Sequence, residues 1–175
     1  VVIDQRAGVA VTHRTGLGGH ELLWYRSPLS PLEAVQAAGK LPLDQPFRTT
    51  FSYQNTMYTA AGLAAARADG RSWPEMIRAR VLKPLKMDGT MLDTPSAEKT
   101  GRLARTHQLD EEEAIVPKAP FRWAEPNPAG SIYVSASDLS KWLRFQLSRD
   151  ARLKEIHTPQ IVLRDGELDP LLFPH

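Results

Sequence analysis

Apolar residues in this chain recur three and four apart in several stretches and alternate in almost none, which is the signature of amphipathic helices rather than half-buried strands. Met57, Ala60, Ala61, Ala64 and Ala65 set a helical period over about 56–68, closed by Asp69-Gly70. Their small side chains predict close packing against a second helix. Met76, Ile77, Val81 and Leu82 form another stripe. It opens at Ser72-Trp73-Pro74-Glu75, where Ser and Glu three apart spell a capping box, and it ends before Pro84. Leu139, Trp142, Leu143 and Leu147 form a third stripe, capped at Ser135 and expected to face inward. Ser30-Pro31 starts a shorter helix that stops near Gly39, and Leu153–His157 is a last short one. Val1–Thr12 reads as a strand or a helix end running into the glycine-rich turn Thr15–Gly19. Residues 95–121, polar and holding the acidic run Asp110–Glu113, read as a loop excursion with short extended pieces. The pattern predicts a mainly α unit over 1–175, with long loops and few short strands.

Composition narrows the chemistry. The 175 residues carry 22 Lys plus Arg against 20 Asp plus Glu, a net charge of +2, and the arginines are scattered rather than gathered into a basic stripe. Nucleic acid is not an expected partner. No apolar run approaches the roughly 20 residues of a membrane span. The absence of cysteine excludes disulfides, thiolate-zinc and iron–sulfur sites and a thiol nucleophile. His13, His20, His107, His157 and His175 have no metal-ligand spacing and read as loop and packing residues, so neither a metal nor a cofactor is expected. The acidic run lacks the alternating ligands of a calcium loop. There is no G-x-S-x-G elbow. The start, Val1-Val2-Ile3-Asp4, has no initiator Met and no charged leader, and suggests a chain cut from a longer one.

The informative stretch is Phe51-Ser52-Tyr53-Gln54-Asn55, directly ahead of the small-residue helix. In an extended segment, Tyr53 and Asn55 point to one side. A phenol beside a carboxamide can move a proton and hold a substrate amide. A free tyrosine has a pKa near 10, so base work requires a nearby cation. The same pair could simply cap the following helix, and the tripeptide alone leaves both readings open.

Four elements, in order, resemble the serine β-lactamase-like family: class C β-lactamases, low-molecular-weight penicillin-binding proteins and related esterases. Thr12-His13-Arg14-Thr15-Gly16-Leu17 resembles its THTSGL segment, and Tyr53-Gln54-Asn55 its Y-x-N element. Arg80–Thr90 resembles its PLGM stretch. Pro128-Ala129-Gly130-Ser131-Ile132 with Ser135–Trp142 resembles its glycine segment and following helix.

The resemblance implies the helical subdomain of the β-lactamase/DD-peptidase-like α/β fold and a serine acyl-transfer mechanism. In it Tyr53 would be the catalytic acid/base, Asn55 would contact the substrate and a lysine, and Gly130 would border the substrate cleft. His13 and Arg14 would hold the turn. The family's S-x-x-K should precede His13 and does not. The one such spacing, Ser96–Lys99, follows Y-x-N and is read as a polar loop bounded by Pro95 and Gly101, although Lys99-Thr100-Gly101 even spells K-T-G. No strand motif precedes His175. The expectation is therefore a truncated helical lobe, inactive by itself, of an enzyme acting on a β-lactam, a D-Ala peptide or an ester. The alternative is a catalytically dead member serving as a binding or scaffold module. A face left bare around 56–68 would favour self-association. Leu22-Leu23-Trp24-Tyr25 would be an aromatic wall or a packing cluster. Similar proteins are often periplasmic or secreted.

Overall fold

A computed structural model describes residues 10–123 and 125–161; the segment read as a strand or helix end lies largely outside them, as does His175. Six helices and one hairpin follow in order: α1 Pro31–Ala38, α2 Asn55–Asp69, α3 Trp73–Ile77, α4 Thr94–Lys99, β1 Thr106–Leu109, β2 Ile115–Lys118, α5 Ala136–Gln146 and α6 Leu153–Ile156. α3 runs directly into a π-helical turn, Arg78–Leu82, just before Pro84.

Local chemistry sets most boundaries. Ser30 and Glu33 close a reciprocal capping box at α1. At α3 the Glu75 carboxylate accepts from both the backbone N–H and the hydroxyl of Ser72, at 2.9 and 2.6 Å. α2 stops at Gly70, whose φ of 71° is the left-handed cap that glycine adopts without strain.

Residues 94–99 are a helix where a polar loop is expected. Pro95 occupies the first turn, where its missing N–H costs nothing, and Asp93 caps the end by accepting from Ser96 N at 2.7 Å. The Ser96 hydroxyl is spent on the other Asp93 oxygen at 2.8 Å. Beyond it, β1 and β2 pair antiparallel, with Thr106 opposite Lys118 and Leu109 opposite Ile115. Asp110 accepts from the N–H groups of Glu112 and Ala114, turning the acidic run into the exposed tip of this hairpin.

The core gathers Ala66, Trp73, Leu82, Met87 and Leu92, with Met76, Ile77, Val81, Leu85 and Trp142 packed around them. Two expectations about helix faces are corrected. α5 sends only Trp142 to this core. Leu139, Leu143 and Leu147 are 42%, 52% and 85% exposed, because the residue α5 buries is Asp138. In α2 the buried positions are Thr56, Thr59 and Ala66, whereas Ala64 and Ala65 are exposed. A groove of about 810 Å³ lies along that bare side, between α1 and α2, with Leu32, Val35, Ala60, Leu63 and Trp73 in its walls.

α2 meets the glycine segment through Gly62, where a Cβ would overlap the Pro128 ring. Thr59 reinforces the contact by donating to Asn127 Oδ1 at 2.9 Å. Alanine is worth up to about 1 kcal/mol more than glycine inside an exposed helix. Gly62→Ala is nevertheless expected to destabilise by about 1–3 kcal/mol through overpacking, read as a lower urea midpoint at unchanged m-value.

Candidate active site

The Y-x-N segment is held by a turn some forty residues earlier. His13 has a φ of 57°, and its carbonyl accepts from Ser52 N at 2.8 Å while its Nδ1 accepts from Gln54 N at 3.0 Å. The Ser52 hydroxyl donates to Leu17 O at 3.1 Å. The fully buried Gln54 side chain donates to the carbonyls of Leu17 and Gly18. These contacts hold residues 51–54 extended. Tyr53 therefore points away from Gln54, and Asn55 becomes the first residue of α2.

Tyr53 lies on the face of His13, with ring centroids 4.6 Å apart, and Tyr58 stacks on the same imidazole at 5.0 Å. Phe51 meets it edge-on at 5.3 Å. Burial lowers the His13 pKa, which keeps the ring neutral near pH 7. With Nδ1 accepting, its proton sits on Nε2. The two tyrosines differ. Tyr58 donates its hydroxyl to Val11 O at 2.8 Å, and burial raises its pKa, with a further push from Tyr53. Tyr53 is 36% exposed, and among the described residues no group hydrogen-bonds its hydroxyl.

Asn55 turns its amide toward Glu21, donating to the two carboxylate oxygens at 3.3 and 3.5 Å. Desolvation raises the Glu21 pKa, partly offset by the Asn55 amide and by the nearby Trp24 N–H. Glu21 opens a single 3₁₀ turn, Glu21–Leu23, that leads into Trp24 and Tyr25. Trp24 stacks on Trp123 at 5.1 Å, and Tyr25 stacks on Phe121 at 5.2 Å. These rings line a cleft of about 370 Å³ that also includes Gly130. A Cβ on Gly130 would lie 2.9 Å from Trp123 Cζ2, so glycine lets the indole approach the backbone.

The site residues expected from the sequence thus form a chain of contacts rather than one cluster. Tyr53 and Asn55 share the start of α2. Gly130 is linked to them indirectly, through Trp123, Trp24 and the Glu21 turn on one side and through Asn127 and Thr59, whose hydroxyl also reaches Asn55 O, on the other. His13 does more than hold its turn, since it is the surface on which Tyr53 rests. Of Leu22-Leu23-Trp24-Tyr25, Trp24 and Tyr25 stack on Trp123 and Phe121 and line the cleft, whereas Leu22 is 85% exposed. Sequence reading missed Glu21, whose partner is 34 residues away and for which no local spacing gives a signal. Among the described residues, no group of three His, Asp or Glu is placed to hold a metal ion, and no helix is long and apolar enough to cross a membrane.

Comparison with known proteins agrees on one family. The family model described as Beta-lactamase matches residues 10–167. The unguisins hydrolase ungD' of Aspergillus campestris is 26% identical over 145 residues, which cover 79% of this chain and 27% of that protein. The chain thus spans about a quarter of that relative's length. Among solved structures, the octameric penicillin-binding protein homologue from Pyrococcus abyssi superposes with a TM-score of 0.71 at 24% identity, over 85% of this chain and 35% of the other. The D-amino acid amidase from Ochrobactrum anthropi SV3 gives 0.65 at 22% identity, over 81% and 42%. The fold shared with these proteins is the β-lactamase and penicillin-binding protein fold, of which this chain presents a helix-rich portion.

Proposed function

Because the chain belongs to the beta-lactamase family, we propose that it is the tyrosine-bearing helical lobe of a serine hydrolase that opens an amide, lactam or ester bond through an acyl-enzyme. The observation that carries this reading is the Tyr53 hydroxyl, exposed and without a hydrogen-bond partner among the described residues while its ring is clamped on His13. A phenol merely capping the next helix would donate to that helix.

The serine and lysine of an S-x-x-K segment belong, in this reading, to polypeptide outside residues 1–175. Within the described residues the one such spacing has its serine hydroxyl bound to Asp93. The serine oxygen attacks the carbonyl carbon, and its proton passes to Tyr53. The bond to the leaving nitrogen or oxygen then breaks, and that atom takes a proton from Tyr53. Water repeats the sequence to release the acid. His13 is neutral, so it does not supply the cation that phenolate requires; that charge falls to the lysine. Asn55 orients the lysine and the substrate amide. The names of the similar proteins, a hydrolase of unguisins and a D-amino acid amidase, favour an amide bond.

The 175-residue chain incubated with a chromogenic cephalosporin and p-nitrophenyl esters is expected to show no saturable turnover. A covalent adduct on one of its own residues would overturn the assignment of the nucleophile to other polypeptide. The bare side of α2 and its groove favour self-association of the isolated lobe. Light scattering is expected to give a mass above that of one chain at high concentration, and a monomer throughout would refute this.

A further inference from the structure

The β1–β2 hairpin stands almost clear of the lobe. All of Thr106–Lys118 is exposed except Asp110 and Val116, which are half-buried. Among the described residues its ladder joins only its own two strands. An isolated two-stranded hairpin is marginally stable in water, so this one gains from a surface that covers it. Its apex carries two kinds of group. Leu109 and Ile115, 64% and 75% exposed, are paired directly across the ladder and so stand side by side on one face. Between them the chain turns through Asp110, Glu111, Glu112 and Glu113. None of these four acids makes an ion pair among the described residues.

A surface of matching character lies along α2 and α3. The groove of about 810 Å³ is mainly apolar, through Leu32, Val35, Leu63 and Trp73, and in its lining Arg67 and Arg71 outnumber Glu125. Arg71 also lines an adjoining hollow of about 520 Å³, together with Glu75, Arg78 and Lys83. The π turn brings the last two onto one face. Lys83 N donates to Arg78 O, five residues back, at 2.9 Å, whereas α-helical winding would set these residues roughly 140° apart. Glu75 is committed to the Ser72 cap, and Arg71 pairs with Asp69 at 2.6 Å. Arg67, Arg78 and Lys83 make no ion pair among the described residues. Over 67–86, six Lys and Arg stand against Asp69 and Glu75 alone.

We propose that this groove receives the hairpin apex of a second copy of the chain. Leu109 and Ile115 enter the apolar part beside Val35 and Leu63, and Glu111 and Glu112 lie against Arg78 and Lys83. A bare apolar helix face alone would not name its occupant. The adjoining cations do, because the apex offers an apolar pair and then an acidic turn in the same order. The acids begin one residue past the pair, about 3.3 Å along the strand, and the cations begin at Arg71, which lines both hollows. Apex and groove are different surfaces of one chain, so two copies can exchange hairpins reciprocally or several can pass them round a ring. The inference rests on the self-association expected of the bare side of α2, which it deepens, and needs nothing from the acyl-transfer chemistry.

The test compares the 175-residue chain with two charge-reversed variants, Glu111→Lys/Glu112→Lys and Arg78→Glu/Lys83→Glu, each checked for an unchanged circular dichroism spectrum. Sedimentation equilibrium is expected to show the parent associating, about tenfold more weakly at roughly 0.5 M than at roughly 0.05 M salt. Each variant alone is expected to associate about tenfold more weakly than the parent, since two ion pairs are lost and like charges meet. An equimolar mixture of the two is expected to regain the parent's association, because the reversed apex of one meets the reversed groove of the other. Leu109→Ser/Ile115→Ser is expected to weaken association and leave its salt dependence in place. A mixture no stronger than its components would overturn the proposal. Association indifferent to salt and to both reversals would overturn this contact alone and leave the bare side of α2 associating in another way. A monomer at every concentration would refute the self-association reading, and this contact with it.

Discussion

Asp138→Ala is expected to lower the stability of the lobe by about 2–4 kcal/mol, the largest effect of any single substitution considered. Asp138 is 3% exposed and its carboxylate accepts from three donors. Lys141 Nζ approaches one oxygen at 2.7 Å, and Gly89 N and Thr90 Oγ1 reach the other at 2.9 and 3.0 Å. Its own N–H caps α5 through the Ser135 hydroxyl at 3.1 Å. One carboxylate therefore fastens α5 to the turn that follows the core helix. Removing it leaves the buried Thr90 hydroxyl without that acceptor and takes the partner of Gly89 N, a residue on the surface.

The same group makes stability acid-sensitive. Hydrogen bonding from Lys141, ahead of burial in the opposite direction, holds the Asp138 pKa below its ordinary value. An unfolded aspartate titrates near about 3.9. The contribution of Asp138 is thus complete above that pH and is lost as pH falls toward and through the depressed folded value. Urea midpoints measured from pH 7 down to pH 2 are expected to fall less steeply for Asp138→Asn than for the parent. Parallel slopes would show that the contacts contribute nothing to the ionised form.

The second large effect concerns chemistry. On the proposed acyl-transfer reading, Tyr53→Phe in the assembled enzyme is expected to lower kcat by about 10²- to 10⁴-fold, the usual worth of a general acid–base group. The stacked position on His13 does not depend on the hydroxyl, so the substitution is expected to leave the fold in place. Tyr58→Phe is the matched control. Its hydroxyl is already committed to Val11 O, so it is expected to cost stability with a far smaller change in kcat. A Tyr53→Phe enzyme of undiminished kcat would end the assignment.

What the sequence disclosed follows the range over which each interaction acts. The capping boxes at Ser30 and Ser72 and the glycine stop at Gly70 join residues three or four apart and are readable as local patterns. Pro95 misled because a proline at a first helical turn looks like one in a loop until the Asp93 cap is recognised. The leucines of α5 misled for another reason. Periodicity identifies a stripe but not what it meets, and the lobe buries Asp138 and Trp142 while Leu139, Leu143 and Leu147 stay open. At the site, Tyr53 and Asn55 were legible as a motif. The His13 ring beneath the phenol and the Glu21 carboxylate facing the amide come from distant segments, and only the folded chain joins them.

The Gln54 side chain that joins residue 54 to Leu17 closes a loop 37 residues long. Loop closure of that size carries an entropic cost that is recovered only once the long-range contact forms. α2 can coil from its own sequence before then, but the phenol has no platform until the earlier turn arrives. Refolding followed by the ultraviolet signature of the stacked tyrosine is therefore expected to lag behind helix formation, so that the Tyr53 ring takes its place only after α2 has coiled.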